Sequence, residues 1–407
     1  MIFLHDRANM ARWCACLLFL LSLCLPATAQ AWRWGSWRFG LKLQSTFEFD
    51  DNVRRIASSK PSSFKKPNNW SLIATEPVIT SPLDPVEIVA DGVSKWSLLL
   101  RTRHTSRHHI VRAWYGFGYQ HYFWVSSEDH VSNRFGFLYY GRLHRRLLLG
   151  FELSGGDLRR FNAEREYSNV LALGRLMWLA PGGFRVSLAA GGGGFAYRNK
   201  EDFPGAHIDG FSDGMRYSYL GDQYRLQVQK SWGRAFRVSF AYGLSRLHFD
   251  FINKRDKDGG VTPADEARTD LLHGFQLNAR YLRGFLLKLS YRFELMQSAS
   301  VGESFYGHVA EMLFSYSLPW ELLLVLQGQM QFRTYTDGLS PNHNKYPVGQ
   351  LPGEDENLAS SATIRISRRI TKRLRVHLRY RVYSNLFSGQ NAEYFRQLIS
   401  AGFALQF

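Results

Sequence analysis

Residues 37–49 read WRFGLKLQSTFEF, a stretch in which apolar and polar side chains alternate. Apart from Ser45, the odd positions are aromatic or aliphatic. A β-strand points successive side chains to opposite faces of its sheet, so this period of two predicts a strand with one apolar and one polar face. The polar face holds Arg38, Lys42, Gln44, Thr46 and Glu48.

The same alternation recurs along the chain, most clearly over residues 285–295, 322–333 and 374–383. These runs exceed the five or six residues that are usual for strands of soluble sheets. Two stretches, 170–177 and 189–195, favour neither face. The alternation predicts about sixteen strands, at 37–50, 94–104, 109–122, 131–142, 146–154, 165–179, 183–198, 215–230, 234–250, 269–282, 285–298, 304–317, 320–335, 357–369, 372–387 and 393–407.

The connections between these predicted strands alternate between short and long. Short turns at one end and long loops at the other are typical of a transmembrane antiparallel β-barrel, whose turns face the periplasm and whose loops face outside. Both termini then lie in the periplasm, which requires an even number of strands. The short turns fall at 105–107, 144–145, 181–182, 232–233, 283–284, 318–319 and 370–371, and the longest loops at 51–93, 155–164, 199–214, 251–268 and 336–356.

The composition excludes several other classes of protein. Charged residues make up 21% of the 407 residues, so the chain is not a disordered charged tail. A mean hydropathy of −0.26, with a single long apolar run, excludes a polytopic helical membrane protein. A soluble propeller or sandwich also has alternating strands. The 15% aromatic content, concentrated on the apolar face, instead favours the aromatic girdles of a membrane barrel.

The N-terminus has the layout of a secretory signal peptide. Basic residues precede an apolar segment at 14–25, and the sequence PATAQA at 26–31 supplies small residues for cleavage. A lipoprotein signal acylated on Cys24 is one competing interpretation, but Leu23 occupies a position where that signal needs a small residue. An uncleaved anchor is another, but the apolar segment is short for a membrane span. All three cysteines lie in this segment, so the exported chain is predicted to contain none.

We therefore predict a cleaved signal peptide at 1–31 and a single barrel domain at 32–407, with 51–93 as its longest extracellular loop. This loop contains several Lys and Arg residues among Pro and Ser. An inward-folded gate, a site for lipopolysaccharide phosphates or acidic glycans, and a solvated mobile loop are the alternatives, of which the last is the commonest.

The C-terminal residues 394–407 read YFRQLISAGFALQF, which ends in Phe and has apolar residues at alternating positions before it. This pattern resembles the terminal recognition signal of Gram-negative outer-membrane β-barrel proteins. The resemblance implies integral insertion in the outer membrane, contact with the lipid bilayer and lipopolysaccharide, and recognition by the barrel-assembly machinery. The residues that match the signal are Phe403, Leu405 and Phe407.

A second, shorter resemblance concerns residues 47–53, FEFDDNV. They are similar to an element of several barrels linked to surface polysaccharide export, which implies periplasmic export or envelope-complex proteins as partners. The chain also departs from the general trimeric porins. It lacks the acidic motif of their constriction loop, and its longest loop follows the first strand, so no porin constriction residues are assigned.

The formal net charge of the chain is +17, and much of it falls on the polar faces of the predicted strands. An Arg or Lys on the lipid face near the midplane costs about 2–4 kcal/mol, so these side chains are expected to point inward. A confined aqueous path lined by one sign of charge concentrates the opposite ion. The predicted lumen-lining residues are Arg38, Lys42, Arg101, Arg103, Arg112, Arg225, Arg237, Arg280, Lys288, Arg292, Arg333, Arg365, Arg375, Arg379 and Arg381.

These features predict an outer-membrane channel or export conduit that favours anionic solutes or acidic polymers, surface polysaccharide among them. The alternative is a non-conducting barrel that anchors or scaffolds an envelope complex. In that case facing cations and carboxylates fill the lumen, as in a pairing of Arg379 with Glu48 across the closure of the first and last strands. Nucleic acid is not an expected partner, because the predicted location is extracytoplasmic and no binding module is present.

Several motifs resemble catalytic or ligand-binding sites but lack the necessary context. Residues 210–214 match G-x-S-x-G, yet they lie in a predicted loop and not on a strand-to-helix elbow. The glycines at 191–194 lack the Lys and helix of a phosphate loop, and 256–259 lack the later ligands of a calcium loop. The histidines between 104 and 109 flank a predicted turn, where exposed histidines are commoner than a metal site. A lipid-modifying barrel enzyme is a third interpretation, but the spacing of the Ser, His and Asp residues does not assemble a catalytic set. We therefore predict no enzyme activity, no cofactor and no metal site.

Overall fold

The computed structural model describes most of the predicted strands and the short connections between them. The predicted signal peptide, the greater part of the predicted loop 51–93, the G-x-S-x-G motif at 210–214 and residues 256–259 lie outside the described residues. The described residues are 33–34, 36–51, 90–124, 129–160, 166–198, 219–250, 252–255, 261–264, 266–300, 304–336, 360–384 and 395–407.

The structure is a sheet of sixteen long antiparallel strands, in agreement with the predicted number. The strands are β1 (Trp37–Asp50), β2 (Asp91–Thr105), β3 (His109–Tyr122), β4 (His130–His144), β5 (Leu147–Arg160), β6 (Glu166–Leu179), β7 (Phe184–Arg198), β8 (Tyr219–Trp232), β9 (Phe236–Phe249), β10 (Arg268–Arg283), β11 (Phe285–Gln297), β12 (Phe305–Ser317), β13 (Leu322–Tyr335), β14 (Ser360–Arg369), β15 (Leu374–Ser384) and β16 (Phe395–Gln406).

The sheet closes into a barrel because each strand pairs with the next and β16 pairs back onto β1. In this closing pair, Leu398 lies opposite Asp50 and Gln406 lies opposite Lys42. Closure leaves no unpaired sheet edge, which is the condition for a β-structure to cross a bilayer. A two-residue strand, Arg33–Trp34, adds to β1, and Ile252–Arg255 forms a separate small hairpin with Val261–Ala264.

The two ends of the barrel differ in the length of their connections. At one end, here called the turn end, neighbouring strands are joined by one to four residues, as at 284 and at 370–373. Gly284, the whole connection between β10 and β11, adopts a φ of 76°, a left-handed conformation that favours glycine. The opposite end, here called the loop end, carries the long connections. The turn end corresponds to the periplasmic side of outer-membrane barrels.

The outer surface of the barrel is apolar and is exposed in the isolated chain. Leu220, Phe47 and Leu378 expose 70%, 55% and 57% of their surface. Large exposed apolar surfaces are unusual in soluble monomers and are expected where lipid covers the protein. The predicted fold, a transmembrane antiparallel β-barrel, is therefore confirmed. No helix in the described part of the chain is long and apolar enough to cross a bilayer.

The largest error in the strand prediction concerns β5, which continues to Arg160 instead of ending near 154. Residues 154–157 read SGGD and resemble a turn, but they stay paired with β4 and β6. A Cβ on Gly156 would lie 2.6 Å from the Asn133 carbonyl oxygen, so these glycines allow close approach of backbones. Gly191 shows the same effect, since its Cβ would lie 1.9 Å from the Ala172 oxygen.

Candidate functional site: the inner wall of the barrel

The strand register places all fifteen predicted lumen positions on the inner wall. Arg38 lies opposite Arg103, which in turn lies opposite Arg112, and positions of the opposite parity hold the exposed apolar residues. In the other strands too, the predicted lumen positions share the inner face and the exposed apolar residues lie mainly on the outer face. The side chain of Arg333 lies outside the described part, so only its backbone position is known. Whether these residues line a conducting path remains a prediction.

Near the loop end, Glu48 joins three strands of the inner wall. Lys95 Nζ on β2 lies 2.5 Å from Glu48 Oε1, and Arg379 Nη2 on β15 donates to Glu48 Oε2 at 2.6 Å. Arg379 Nε also donates to Ser400 Oγ on the intervening strand β16, at 3.0 Å. Glu48 is fully buried. The pairing of Arg379 with Glu48 expected from the sequence therefore forms, and it lies across the closure of the barrel.

A second ion pair lies on the same closure, two residues closer to the loop end. Arg396 Nε on β16 donates to Asp50 Oδ1 on β1 at 2.9 Å, Arg396 Nη2 donates to Oδ2, and both residues are buried. Beyond the strand, Asp51 Oδ1 accepts the backbone N–H of Gln397 at 2.6 Å. Burial raises the pKa of Asp51 to about 6, and the neighbouring Asp50 adds to this effect.

Other carboxylates near the loop end also have defined partners. Asp91 accepts the backbone N–H groups of Phe123 and Trp124 at 3.1 and 3.2 Å. Asp270 accepts from Arg268 Nε at 3.1 Å, with both side chains buried. Buried carboxylates are expensive unless they are hydrogen-bonded or paired, so these contacts explain how the wall tolerates them.

Between mid-height and the turn end the wall holds a mixed polar network. Arg175 donates through Nη2 to Glu152 Oε2 at 3.0 Å and through Nη1 to Tyr140 Oη at 3.2 Å. Arg225 Nη2 donates to Gln276 Oε1 at 3.1 Å, across the intervening strand β9. Of the predicted lumen residues, Arg292 also has a carboxylate partner, since its Nε lies 2.8 Å from Glu294 Oε1.

The turn end has a different charge pattern. We define the turn-end zone as the inward side chains among the five residues of each strand nearest its short turn. Within the described residues this zone contains no Asp or Glu. Its basic side chains, apart from Arg175, form no ion pair with a described residue: Arg38, Arg101, Arg103, Arg112, Arg142, Arg185, Arg237, Arg280, Lys288, Arg365, Arg369 and Arg375.

A cleft in the inner wall reaches from mid-height into this zone beside the closure of the barrel. It has a volume of about 120 Å³, and none of its lining residues is acidic. Four strands and one turn contribute to this basic cleft. Its lining residues are Lys42, Gln44, Arg365, Ser367, Arg369, Thr371, Lys372, Arg373, Leu374, Arg375, His377, Arg379, Ala404 and Gln406.

Several residues of the inner wall were absent from the sequence-based set. Lys95, Arg369 and Arg396 all point inward, and the alternation around Trp96 and within β14 was a sufficient signal for the first two. Lys372 and Arg373 lie in a turn, where strand alternation gives no information. Their part in the basic cleft follows only from the way the turn folds against the wall.

The histidines and the C-terminal residues occupy other positions. His104 bonds to Ser36 Oγ at 2.8 Å and His109 bonds to Tyr139 Oη at 2.9 Å. No group of three or more His, Cys, Asp or Glu side chains suited to a metal occurs among the residues that the structure describes. Of the predicted assembly signal, Phe403 and Leu405 face outward on β16, and Phe407 N donates to the Leu41 oxygen at 2.8 Å.

Comparisons with known proteins give only distant structural likenesses. No protein-family model and no curated protein sequence matches the chain. Similar solved structures include OprB of Pseudomonas putida (8% identity, TM-score 0.48, covering 91% of this chain and 94% of that one). They also include OmpT of Vibrio cholerae (9%, 0.44, 93% and 100%) and a bacterial polysaccharide outer membrane secretin (8%, 0.39, 90% and 98%). Likenesses this low assign no function to the chain.

Proposed function

We propose that the chain is an outer-membrane channel whose inner wall favours anionic solutes. The observation that supports this most strongly is the turn-end zone, where many cations face the lumen and none of the described inward side chains is a carboxylate. Such a wall raises the local concentration of anions and repels cations. No catalytic activity is proposed for the chain.

The width and exposure of the barrel fit a water-filled path. Barrels of sixteen strands are wide enough for an aqueous channel. Arg101, Arg365 and Arg375 are exposed on the inner wall near the turn end, whereas Glu48 and Asp50 near the loop end are fully buried. The channel is therefore expected to be wide and solvated at the turn end and narrower towards the loop end.

The buried loop end is also the observation that favours the alternative function, a non-conducting barrel that scaffolds an envelope complex. Buried pairs such as Asp50 with Arg396 fill space on the inner wall and would narrow or close a path. Conductance separates the two functions directly, because a closed barrel passes no current.

The proposed cargo is inferred from the charge of the inner wall and not from the resemblance of residues 47–53. Residues 47–53 resemble an element of polysaccharide-export barrels, but in the structure Glu48 and Asp50 of this segment are engaged with Arg379 and Arg396. They therefore have a structural part in barrel closure. Acidic polymers, including surface polysaccharide delivered by periplasmic partners, remain one proposed class of cargo and small anions the other.

Delivery to the membrane is part of the same proposal. Residues 1–31 act as the cleaved signal, and the barrel-assembly machinery reads Phe403, Leu405 and Phe407. Mass spectrometry of the mature chain from isolated outer membranes tests cleavage. A mature N-terminus at or near residue 32 supports the proposal, and retention of residues 1–31 contradicts it.

The main test is conductance of the refolded mature chain in planar bilayers under a salt gradient. We expect discrete open steps with an anion-selective reversal potential. The double variant Arg365→Gln/Arg375→Gln removes from the inner wall two cations that have no ion-pair partner among the described residues, and it should shift the reversal potential towards cations. The matched control is Arg368→Gln, since Arg368 lies on the same strand but faces outward.

Three results would count against this function. Cation selectivity in the wild type would contradict the charge argument, and an equal shift in Arg368→Gln would show that the inner wall is not responsible. The absence of any current from folded protein, verified by heat-modifiable migration in gels, would favour the scaffold.

A further inference from the structure

We infer that the basic cleft is a binding site for a phosphate group, either free phosphate or the phosphate of a larger solute. This inference rests on the proposed channel function and names a ligand class for it. The cleft faces the lumen, so the phosphates of membrane lipids and lipopolysaccharide, which surround the outer face, cannot reach it.

The first argument is the arrangement of like charges on two neighbouring strands. On the inner face, Arg365 of β14 lies directly opposite Arg379 of β15, and Arg369 lies directly opposite Arg375. Like charges in directly opposed positions destabilise a sheet. Glu48 pairs with Arg379, but the described part of the protein offers no carboxylate to Arg365, Arg369 or Arg375. A bound anion would remove this repulsion.

The second argument is the shape of the cleft. Ala404 on β16 lies between Arg375 on one side and Gln44 on the other, so a small side chain separates two rows of long ones. Ala404 forms part of the floor of a hollow of about 120 Å³, several times the roughly 10–15 Å³ that a single water needs. That volume suits a small tetrahedral anion and its first waters.

The third argument is the number and type of donors. Guanidinium groups present paired N–H donors that match two oxygens of a phosphate, and an ammonium adds a compact point charge. Arg365 and Arg375 approach from one wall, and Lys42 from the other. Lys42 Nζ donates to Gln44 Oε1 at 2.9 Å, which leaves further donors for a ligand. A doubly charged anion is preferred over chloride because several cations share it.

The test measures phosphate binding directly and without current. Isothermal titration of sodium phosphate into the folded chain in a zwitterionic detergent should show saturable binding that sodium chloride at equal ionic strength does not reproduce. In Arg365→Gln/Arg375→Gln the affinity should fall about tenfold or more. Arg368→Gln, on the outer face of β14, should bind like the wild type.

A second variant keeps the test valid if Arg365→Gln/Arg375→Gln does not fold. Lys42→Gln changes the opposite wall of the cleft and should weaken phosphate binding several-fold while leaving the two arginines in place. A hexose phosphate titrated in parallel identifies the source of the ligand: if it binds, the cleft accepts phosphate on a larger solute, and if only inorganic phosphate binds, the ligand is the free ion. Either outcome supports the site.

The experiments can refute the phosphate site and the channel function separately. Anion-selective current without saturable phosphate binding would overturn the site and leave the channel intact. Phosphate binding that is equal in the wild type and in both variants would also overturn it, because binding would then lie elsewhere. Binding that depends on the cleft, in a barrel that passes no current, would support the site and overturn the channel.

Discussion

The two ends of the inner wall use charge in opposite ways. Near the loop end, buried carboxylates such as Glu48 and Asp50 are bound by cations from neighbouring strands. In the turn-end zone, exposed cations such as Arg365 and Arg375 lie opposite other arginines on the inner wall, and the zone has no carboxylate among its described residues. The same residue types therefore stabilise the barrel at one end and leave positive charge for a ligand at the other.

This difference shows that net charge alone does not describe the lumen. The net charge of +17 includes Arg396, whose charge is balanced by Asp50, and Lys95 and Arg379, which share the single charge of Glu48. On the proposed function, the charge that acts most strongly on a solute is that of the turn end. Burial makes the loop-end pairs strong and costly to break, whereas exposure at the turn end lets salt screen the charges.

The largest effect is expected from breaking the buried pair between Asp50 and Arg396. Asp50→Asn leaves the Arg396 guanidinium buried without its counter-charge and should lower the free energy of unfolding by about 3–5 kcal/mol. The measurement is the midpoint of urea unfolding in lipid vesicles, followed by tryptophan fluorescence. The double variant Asp50→Asn/Arg396→Met removes the stranded charge and should recover part of the loss.

The matched control for this prediction is an exposed pair on the outer face. Arg159 Nε donates to Asp157 Oδ2 at 3.0 Å, but the Arg159 side chain is 57% exposed. Arg159→Ala should cost no more than about 1 kcal/mol. Equal losses in Asp50→Asn and Arg159→Ala would contradict the view that burial distinguishes the loop-end pairs.

Most of the fold could be predicted from the sequence because alternation is a local signal. Strand β3 at 109–122 was located to the residue, and the alternation of short and long connections gave the barrel topology. The error at the end of β5 has a physical cause: Gly155 and Gly156 have no side chain to favour a face, yet the neighbouring strands require them for close packing.

The site was less predictable because its geometry depends on contacts between distant segments. Arg396 and Asp50 are 346 residues apart, and only the register of β16 on β1 brings them together. The inward direction of Arg375 and Arg379 follows from alternation. Strand order and shear decide which of these cations meets a carboxylate, and no local pattern encodes them. Glu48 pairs with Arg379, whereas the described residues leave Arg375 without a carboxylate.

A smaller effect is expected from the pH dependence of Asp51, the carboxyl group at the edge of the loop end. Its folded pKa of about 6 lies above the ordinary 3.8, so the contribution to stability is fully present below about pH 4 and is lost as the pH rises through 6. Because the side chain is only part-buried, the loss should be about 1 kcal/mol. Asp51→Asn should remove this step from urea unfolding curves measured across the window, and an unchanged step would assign it to another group.

The smallest effect, and one of opposite sign, is expected at the turn end. Arg365→Gln/Arg375→Gln removes two charges that lie opposite or beside other cations on β14 and β15, so it should raise the free energy of unfolding by a few tenths to about 1 kcal/mol at low ionic strength. The gain should shrink in about 1 M salt, where the screening length is about 3 Å.

Anion and salt dependence together decide whether the turn-end charges are free in the folded barrel. In the wild type, added phosphate should stabilise the protein more than chloride of equal ionic strength, and the double variant should lose this difference. If the double substitution instead destabilises the barrel at low salt, Arg365 or Arg375 has a stabilising partner of its own. The two ends of the wall would then use charge in the same way, and the contrast between them would be wrong.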